Sequence, residues 1–281
     1  MVESITIPSD GGFYTFPNSN VSLEDREGFG NPEPKVGLHE YSNAHGGLMA
    51  SQYYKTRRIS FSGHILAGDY ASFAQARKEF FQAFSFLNAE KLLRFTTFDG
   101  RDLQCNVMAA TAIRDAQTGP TASFYAIELT ASDPLFYAQT TSSVQGGIAT
   151  LTGAGFALPF AFPLALSGSL QGVLTLANNG NARVYPTQIK LIGPGTNFTV
   201  SNKTTDKDLS FNGTLSSGEY VIIDPKRRTA LKNGTTNVYG SMSGDWWDLY
   251  YGNNTVTLVV GSGNTSSTGV EILWRDAFWG V

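Results

Sequence analysis

Apolar and polar positions alternate from Tyr54 to Ile65, with Ile59, Phe61 and Ile65 on one parity and Arg58, Ser60 and His64 on the other. That period of two predicts a half-buried strand. The period then changes. Asp69 is a candidate N-cap for a helix running to about Leu87, with Phe73, Ala76, Phe80, Phe84 and Leu87 at helical spacing and Phe81 beside them. Arg77, Lys78 and Glu79 fall on the other side, so the aromatic stripe reads as a core-facing one. A hairpin follows, Lys91 to Phe98 and Arg101 to Met108 around Asp99-Gly100, a two-residue turn signal. Leu93 and Phe95 alternate in its first strand, and Leu103, Cys105 and Val107 in its second. Ala122 to Ala131 is a further strand through Tyr125, Ile127 and Leu129, closed by Asp133-Pro134 because proline removes a ladder donor.

The rest of the chain predicts β-structure. Gln188–Ile192, Phe198–Ser201, Leu209–Phe211, Tyr220–Ile223, Thr255–Val260 and Val270–Trp274 are short strand candidates. Gly193-Pro194-Gly195, Asn212-Gly213, Asn233-Gly234 and Gly252-Asn253-Asn254 are the turn signals between them. Short strands at intervals near ten residues indicate a β-sandwich, and no residue-level repeat suggests a solenoid or propeller. Between the halves lies a run with no charged residue or histidine, Pro134 to Ala182. Its most apolar part, Gly155 to Leu166, is too short to span a bilayer and is interrupted by Pro159 and Pro163. An extended arm buried against protein is favoured over a membrane wedge.

Composition narrows the function. Only 15% of the 281 residues are charged, against about 25% in an average soluble protein. A formal net charge of -3 argues against nucleic-acid binding. One cysteine excludes a disulfide framework and a multi-cysteine zinc site, and Cys105 sits among core-facing positions as a small hydrophobe. Met1 to Asp10 lacks the basic and apolar regions of a secretory signal, so the N-x-S/T triplets read as turn sequences.

Chemistry is sparse. His39, His45 and His64 lack zinc-protease spacing, and neither a nucleophile elbow nor a phosphate-binding loop is present. No catalytic residue, metal ligand or cofactor site is therefore nominated. Lys226-Arg227-Arg228 after Asp224-Pro225 reads as a solvated hairpin tip. Asp245-Trp246-Trp247-Asp248 combines aromatic faces with carboxylates, the groups that saccharide sites use. Adjacent strand residues point to opposite faces, so Trp246 and Trp247 are speculative sugar contacts, of which one can be core.

Taken in order, these segments resemble the distal tail protein (Dit) family of bacteriophages with long, non-contractile tails. The resemblance rests on Lys55-Thr56-Arg57-Arg58-Ile59-Ser60-Phe61-Ser62-Gly63 before the single helix, and on Glu128 to Tyr137 closing the first domain. It continues through Gly155-Phe156-Ala157-Leu158-Pro159-Phe160, Asn178 to Ala182 with Tyr185-Pro186, and Gly218 to Asp224. Leu249 to Asn254 and Trp274 to Trp279 complete it. The resemblance implies a mainly β fold: an N-terminal ring-forming domain, sandwich- or barrel-like with one helix, over 1–138, and a C-terminal galectin-like β-sandwich over 139–281. Residues 139–182 would be an uncharged bridge with the sandwich's first strands. It further implies a virion structural protein without enzymatic activity, assembled in the host bacterial cytoplasm. Its homo-hexamer, as one ring or two stacked rings, would join the tail tube to the hub, baseplate or receptor-binding proteins around a channel for the genome. The alternative is a carbohydrate-binding module for host cell-wall saccharide. The Gly-rich segment Gly37 to Ser51, with Tyr53 and Tyr54 behind it, is a candidate intersubunit arm, and Phe156, Phe160 and Phe162 on the bridge are further interface candidates.

Overall fold

The computed structural model describes residues 2–9, 12–85, 89–147 and 171–281. It divides into two compact units: Met1–Gln139 together with Phe278–Val281, and Thr140–Ala277.

The first unit comprises β1 (Val2–Ser9), β2 (Gly12–Phe16), β3 (Asp25–Glu27), β4 (Pro34–Glu40), β5 (Gly47–Tyr54), β6 (Arg57–Leu66), α1 (Tyr70–Ala83), β7 (Lys91–Thr97), β8 (Asp102–Ala109), β9 (Arg114–Gly119), β10 (Ala122–Ala131) and β11 (Phe136–Ala138). The sheet order is β2-β1-β7-β8-β10-β6-β3, with β9 on the side of β10 and β11 paired to β8. Alternation decides which side chains go inward. In β6, Ile59, Phe61 and Ile65 are buried, and across the β6–β10 register Phe61 faces Ile127 while Ile59 faces Leu129. The helix starts where Asp69 caps it, its Oδ1 accepting from the Ser72 amide at 2.9 Å. Its buried stripe is Phe73, Ala76, Phe80 and Ala83. Phe80 packs its ring 4.5 Å from that of Tyr125 and 4.9 Å from that of Phe84.

Two predicted boundaries move. The helix closes at Ala83, where the Lys91 ammonium donates to the Ala83 carbonyl at 2.9 Å, a last-turn oxygen without an intrahelical partner. Leu87 lies outside the described residues. The β7–β8 hairpin has a four-residue connection, Phe98 to Arg101, in place of a two-residue turn. Thr97 organises that connection, its hydroxyl accepting from the Arg101 amide at 3.1 Å.

The second unit comprises β12 (Ser142–Gly147), β13 (Gln171–Asn178), β14 (Gln188–Ile192), β15 (Gly195–Asn202), β16 (Lys207–Leu215), β17 (Tyr220–Asp224), β18 (Thr229–Lys232), β19 (Thr236–Asn237), β20 (Met242–Gly244), β21 (Gly252–Ser262) and β22 (Gly269–Trp274). They form two antiparallel sheets, β12-β22-β14-β17-β18-β19 and β13-β21-β15-β16-β20. Ile189, Leu191, Val221, Ile223, Val270 and Ile272 are buried from the first sheet, and Phe198, Val200, Val256, Leu258 and Val260 from the second. The Trp274 indole N–H of the first sheet donates to the Ala177 carbonyl of the second at 3.1 Å. This is a β-sandwich, as the spacing of strands predicted.

Asn212-Gly213 is not a turn: β16 runs straight through it. The pairing with β15 shifts register at this point, and a Cβ on Gly213 would lie 2.6 Å from the Phe211 ring. The glycine marks a bulge where an aromatic ring covers the backbone. Likewise Gly252 to Asn254 opens β21 and is not a turn. The fold also departs from a sequence boundary that leaves 139–281 together. Phe278 belongs to the first unit's core, 7% exposed, because its apolar ring completes that core.

Candidate assembly surface

Residues 34–54 form a feature of their own. β4 and β5 pair only with each other, as a two-stranded sheet outside the sheet of the first unit. The segment read as a Gly-rich arm is therefore a β-hairpin. Pro34 pairs with Tyr54, Val36 with Gln52 and Leu38 with Met49, so these side chains share one face. That face exposes apolar side chains beside Gln52 and Glu40: Leu38 is 63% exposed and Met49 62%. Leu48 and Tyr53 are exposed on the other face, Tyr53 at 68%. Seven of the sixteen exposed large hydrophobic side chains among the described residues lie on this hairpin. Lys35 and Glu40 are its only Lys, Arg, Asp or Glu residues. A lone two-stranded hairpin is marginally stable in water, and apolar surface concentrated in this way marks an interaction site.

The root of the hairpin is rigid by contrast. The Lys55 amide donates to the Glu33 carbonyl at 2.9 Å, and the two side chains pair at 2.6 Å. Two residues on, Arg57 is 2% exposed. Its guanidinium donates to the carbonyls of Gly28 at 2.6 Å, Gly30 at 2.5 Å, Pro134 at 2.8 Å, and Trp279. It lies 4.1 Å from the centre of the Phe136 ring. Burial lowers the Arg57 pKa to about 10, leaving it protonated at neutral pH. Sequence reasoning passed over Arg57, although it shares the parity of Ile59, Phe61 and Ile65. A basic residue on a core parity is a signal for a buried hydrogen-bonding hub.

The other nominated residues separate. Tyr53 and Tyr54 end β5, Tyr53 with its ring in solvent and Tyr54 with its ring 4.3 Å from that of Trp279. Phe156, Phe160 and Phe162 lie outside the described residues. Trp247 is corrected from sugar contact to core residue: it is fully buried and its indole N–H donates to the Val200 carbonyl at 3.1 Å. Trp246 is half-buried and stacks on Tyr239 with ring planes 7° apart. The neighbouring Asp248 carboxylate is engaged by Arg183 at 3.1 Å. His39 and His45 sit exposed on the hairpin, in β4 and in its loop. Lys226 to Arg228 form the β17–β18 tip, where the Arg227 amide donates to Asp224 at 2.9 Å. Cys105 is buried, and burial pushes its thiol up to about 12, as expected of a core hydrophobe.

No group of three or more His, Cys, Asp or Glu among the described residues is placed to hold a metal ion. No described helix is long and apolar enough to cross a membrane. An open depression of about 290 Å³ is lined by Thr6, Phe13, Arg94, Thr96, Asp102 and Gln139 on the first unit's sheet. There the Thr96 hydroxyl donates to the Asp102 carboxylate at 2.7 Å.

Residues 179–278 match the family model for the siphovirus-type tail component, C-terminal domain. The distal tail protein resemblance drawn from the sequence is thereby supported. A crystal structure of the Dit protein of phage SPP1, described as a paradigm of the hub adsorption apparatus in phages infecting Gram-positive bacteria, has the same fold across both units. It is 12% identical, with a TM-score of 0.68, over 98% of this chain and 99% of that one. A chain from the phage P2 baseplate, in its activated conformation with Ca, aligns at 11% identity and a TM-score of 0.48, covering 97% of this chain and 98% of that one. Curated protein sequences give no significant match.

Proposed function

We propose that the protein is the ring-forming adaptor of the tail tip, a homo-hexamer that joins the tail tube to the hub and baseplate proteins around a channel for the genome. The first unit, over 1–138 as read from the sequence, supplies the ring, and the galectin-like sandwich faces outward. The observation that carries this reading is the β4–β5 hairpin. It holds apolar side chains in solvent that a second copy of the chain would cover. A subunit that docks such an arm on its neighbour, and offers the complementary site to the next, makes a heterologous contact, which closes into a ring when the rotation allows. The bridge residues Phe156, Phe160 and Phe162 are further contacts in this proposal. The protein acts by binding and not by catalysis, resides at the distal end of the tail in the virion, and assembles in the host cytoplasm.

Light scattering and negative-stain imaging test the proposal together. The expected particle is a six-fold ring of about 180 kDa, or twice that for two stacked rings, built from a chain of 30.3 kDa. Leu38→Asp combined with Met49→Asp is expected to leave the subunit folded and reduce it to monomers, because charge on the docking face must be desolvated unpaired. A wild-type protein that stays monomeric at high concentration overturns the proposal.

A further inference from the structure

Both ends of the hairpin are tied to the same four residues. Phe278–Val281 follow the second unit in sequence but pack within the first. On the outgoing side of the hairpin, the Val281 amide donates to the Phe29 carbonyl at 2.9 Å. Gly280 presses against the backbone of Gly30, so closely that a Cβ would come within 2.7 Å of the Gly30 carbonyl carbon. On the returning side, the Trp279 ring lies 4.3 Å from that of Tyr54, the last residue of β5. The Trp279 carbonyl is one of the four held by Arg57. Phe278 anchors the segment in the core, with Arg101 over its ring at 5.1 Å.

These contacts have a division of labour. The hydrogen bonds of Gly28, Gly30 and Trp279 to Arg57 fix the root as backbone. The Tyr54–Trp279 ring pair reaches beyond the root, onto the face that Tyr54 shares with Val36, Leu38 and Met49. Beyond the Glu33–Lys55 pair at its root, the hairpin's strands pair only with one another among the described residues.

We propose that residues 278–281 act as a strap that aims the hairpin, with Trp279 as the positioning residue that presents the arm for docking on a second copy of the chain. The inference rests on the arm-docking reading above. With the strap seated, the hairpin is held ready for its neighbour, and less conformational freedom is lost on docking. With Trp279 truncated, the first unit keeps its core and its Arg57 hub, but the arm samples many directions and assembly weakens.

The test uses the full chain. Trp279→Ala is expected to keep the wild-type circular dichroism spectrum and to raise the concentration for half-assembly at least tenfold, with faster hydrogen exchange confined to residues 34–54. Trp279→Phe, which keeps a ring against Tyr54, restores assembly. Tyr54→Leu removes the same contact from the other side and serves if Trp279→Ala fails to fold. The Tyr54→Leu/Trp279→Ala double variant is expected to assemble no worse than the weaker single variant, because both remove one interaction. Wild-type assembly by folded Trp279→Ala, or by Tyr54→Leu, overturns the strap. If Leu38→Asp with Met49→Asp also assembles normally, the arm-docking reading itself has failed, whereas loss of assembly in that variant alone leaves docking intact and removes only the strap.

Discussion

At the scale of single residues, Arg57 shows how one side chain holds distant pieces of backbone together. Its planar guanidinium serves four carbonyls while lying on the Phe136 ring. An ammonium has three donors and no flat face. Arg57→Lys is therefore expected to destabilise the first unit by about 2–4 kcal/mol, through buried carbonyls left unpaired. Urea denaturation measures this, and a midpoint equal to wild type would show that the carbonyls have other partners. Trp246 and Trp247 make the opposite point. Neither lies in a strand, since β20 ends at Gly244, so alternation does not separate them, and Trp247 turns inward where its indole N–H meets the Val200 carbonyl of β15. No local pattern encodes that distance.

Among the elements, α1 was legible because four signals agree: the Asp69 cap, the Phe73–Ala76–Phe80 spacing, the charged opposite face and the absence of proline. Phe80→Ala is expected to cost about 3–5 kcal/mol, and Phe81→Ala, on the rim of the stripe, much less. Melting curves of the two variants decide it; equal losses would mean that the stripe is not the packing face. Strands β6 and β10 were legible for the same reason, alternation with one wet face. The hairpin was harder. It was nominated as an arm, yet β4 and β5 carry apolar residues on both faces and glycine at Gly37 and Gly47. A periodicity argument presumes one buried face, and this hairpin exposes large apolar side chains on both. β1 escaped notice because its pairing with β7 is set far along the chain, and β2, which pairs only with β1, went with it.

For the whole molecule, base is expected to act through two buried tyrosines. Tyr125 and Tyr137, both in the first unit, have pKa values raised by burial above 10, and Tyr137 is raised further by the nearby Asp133 carboxylate. The folded state favours the neutral phenol. The stabilisation is therefore complete below the unfolded value near 10 and is lost as pH rises from there through the folded values. The first unit is expected to hold its stability between pH 7 and 9 and to lose it progressively above 10, in step with late tyrosinate absorbance at 295 nm. Ionisation of all the tyrosines near pH 10 with the fold intact would contradict this.

The division of the chain has a consequence for evolution. Because residues before 140 and after 277 belong to the same unit, the sandwich is inserted into the first unit's sequence. A lineage can exchange such an insert as a cassette, through one crossover at each junction, and leave the segments flanking it unbroken. Sequence divergence between related chains should then change abruptly at two points near 139 and 278, with residues 278–281 varying together with residues 1–139 and not with the domain they immediately follow.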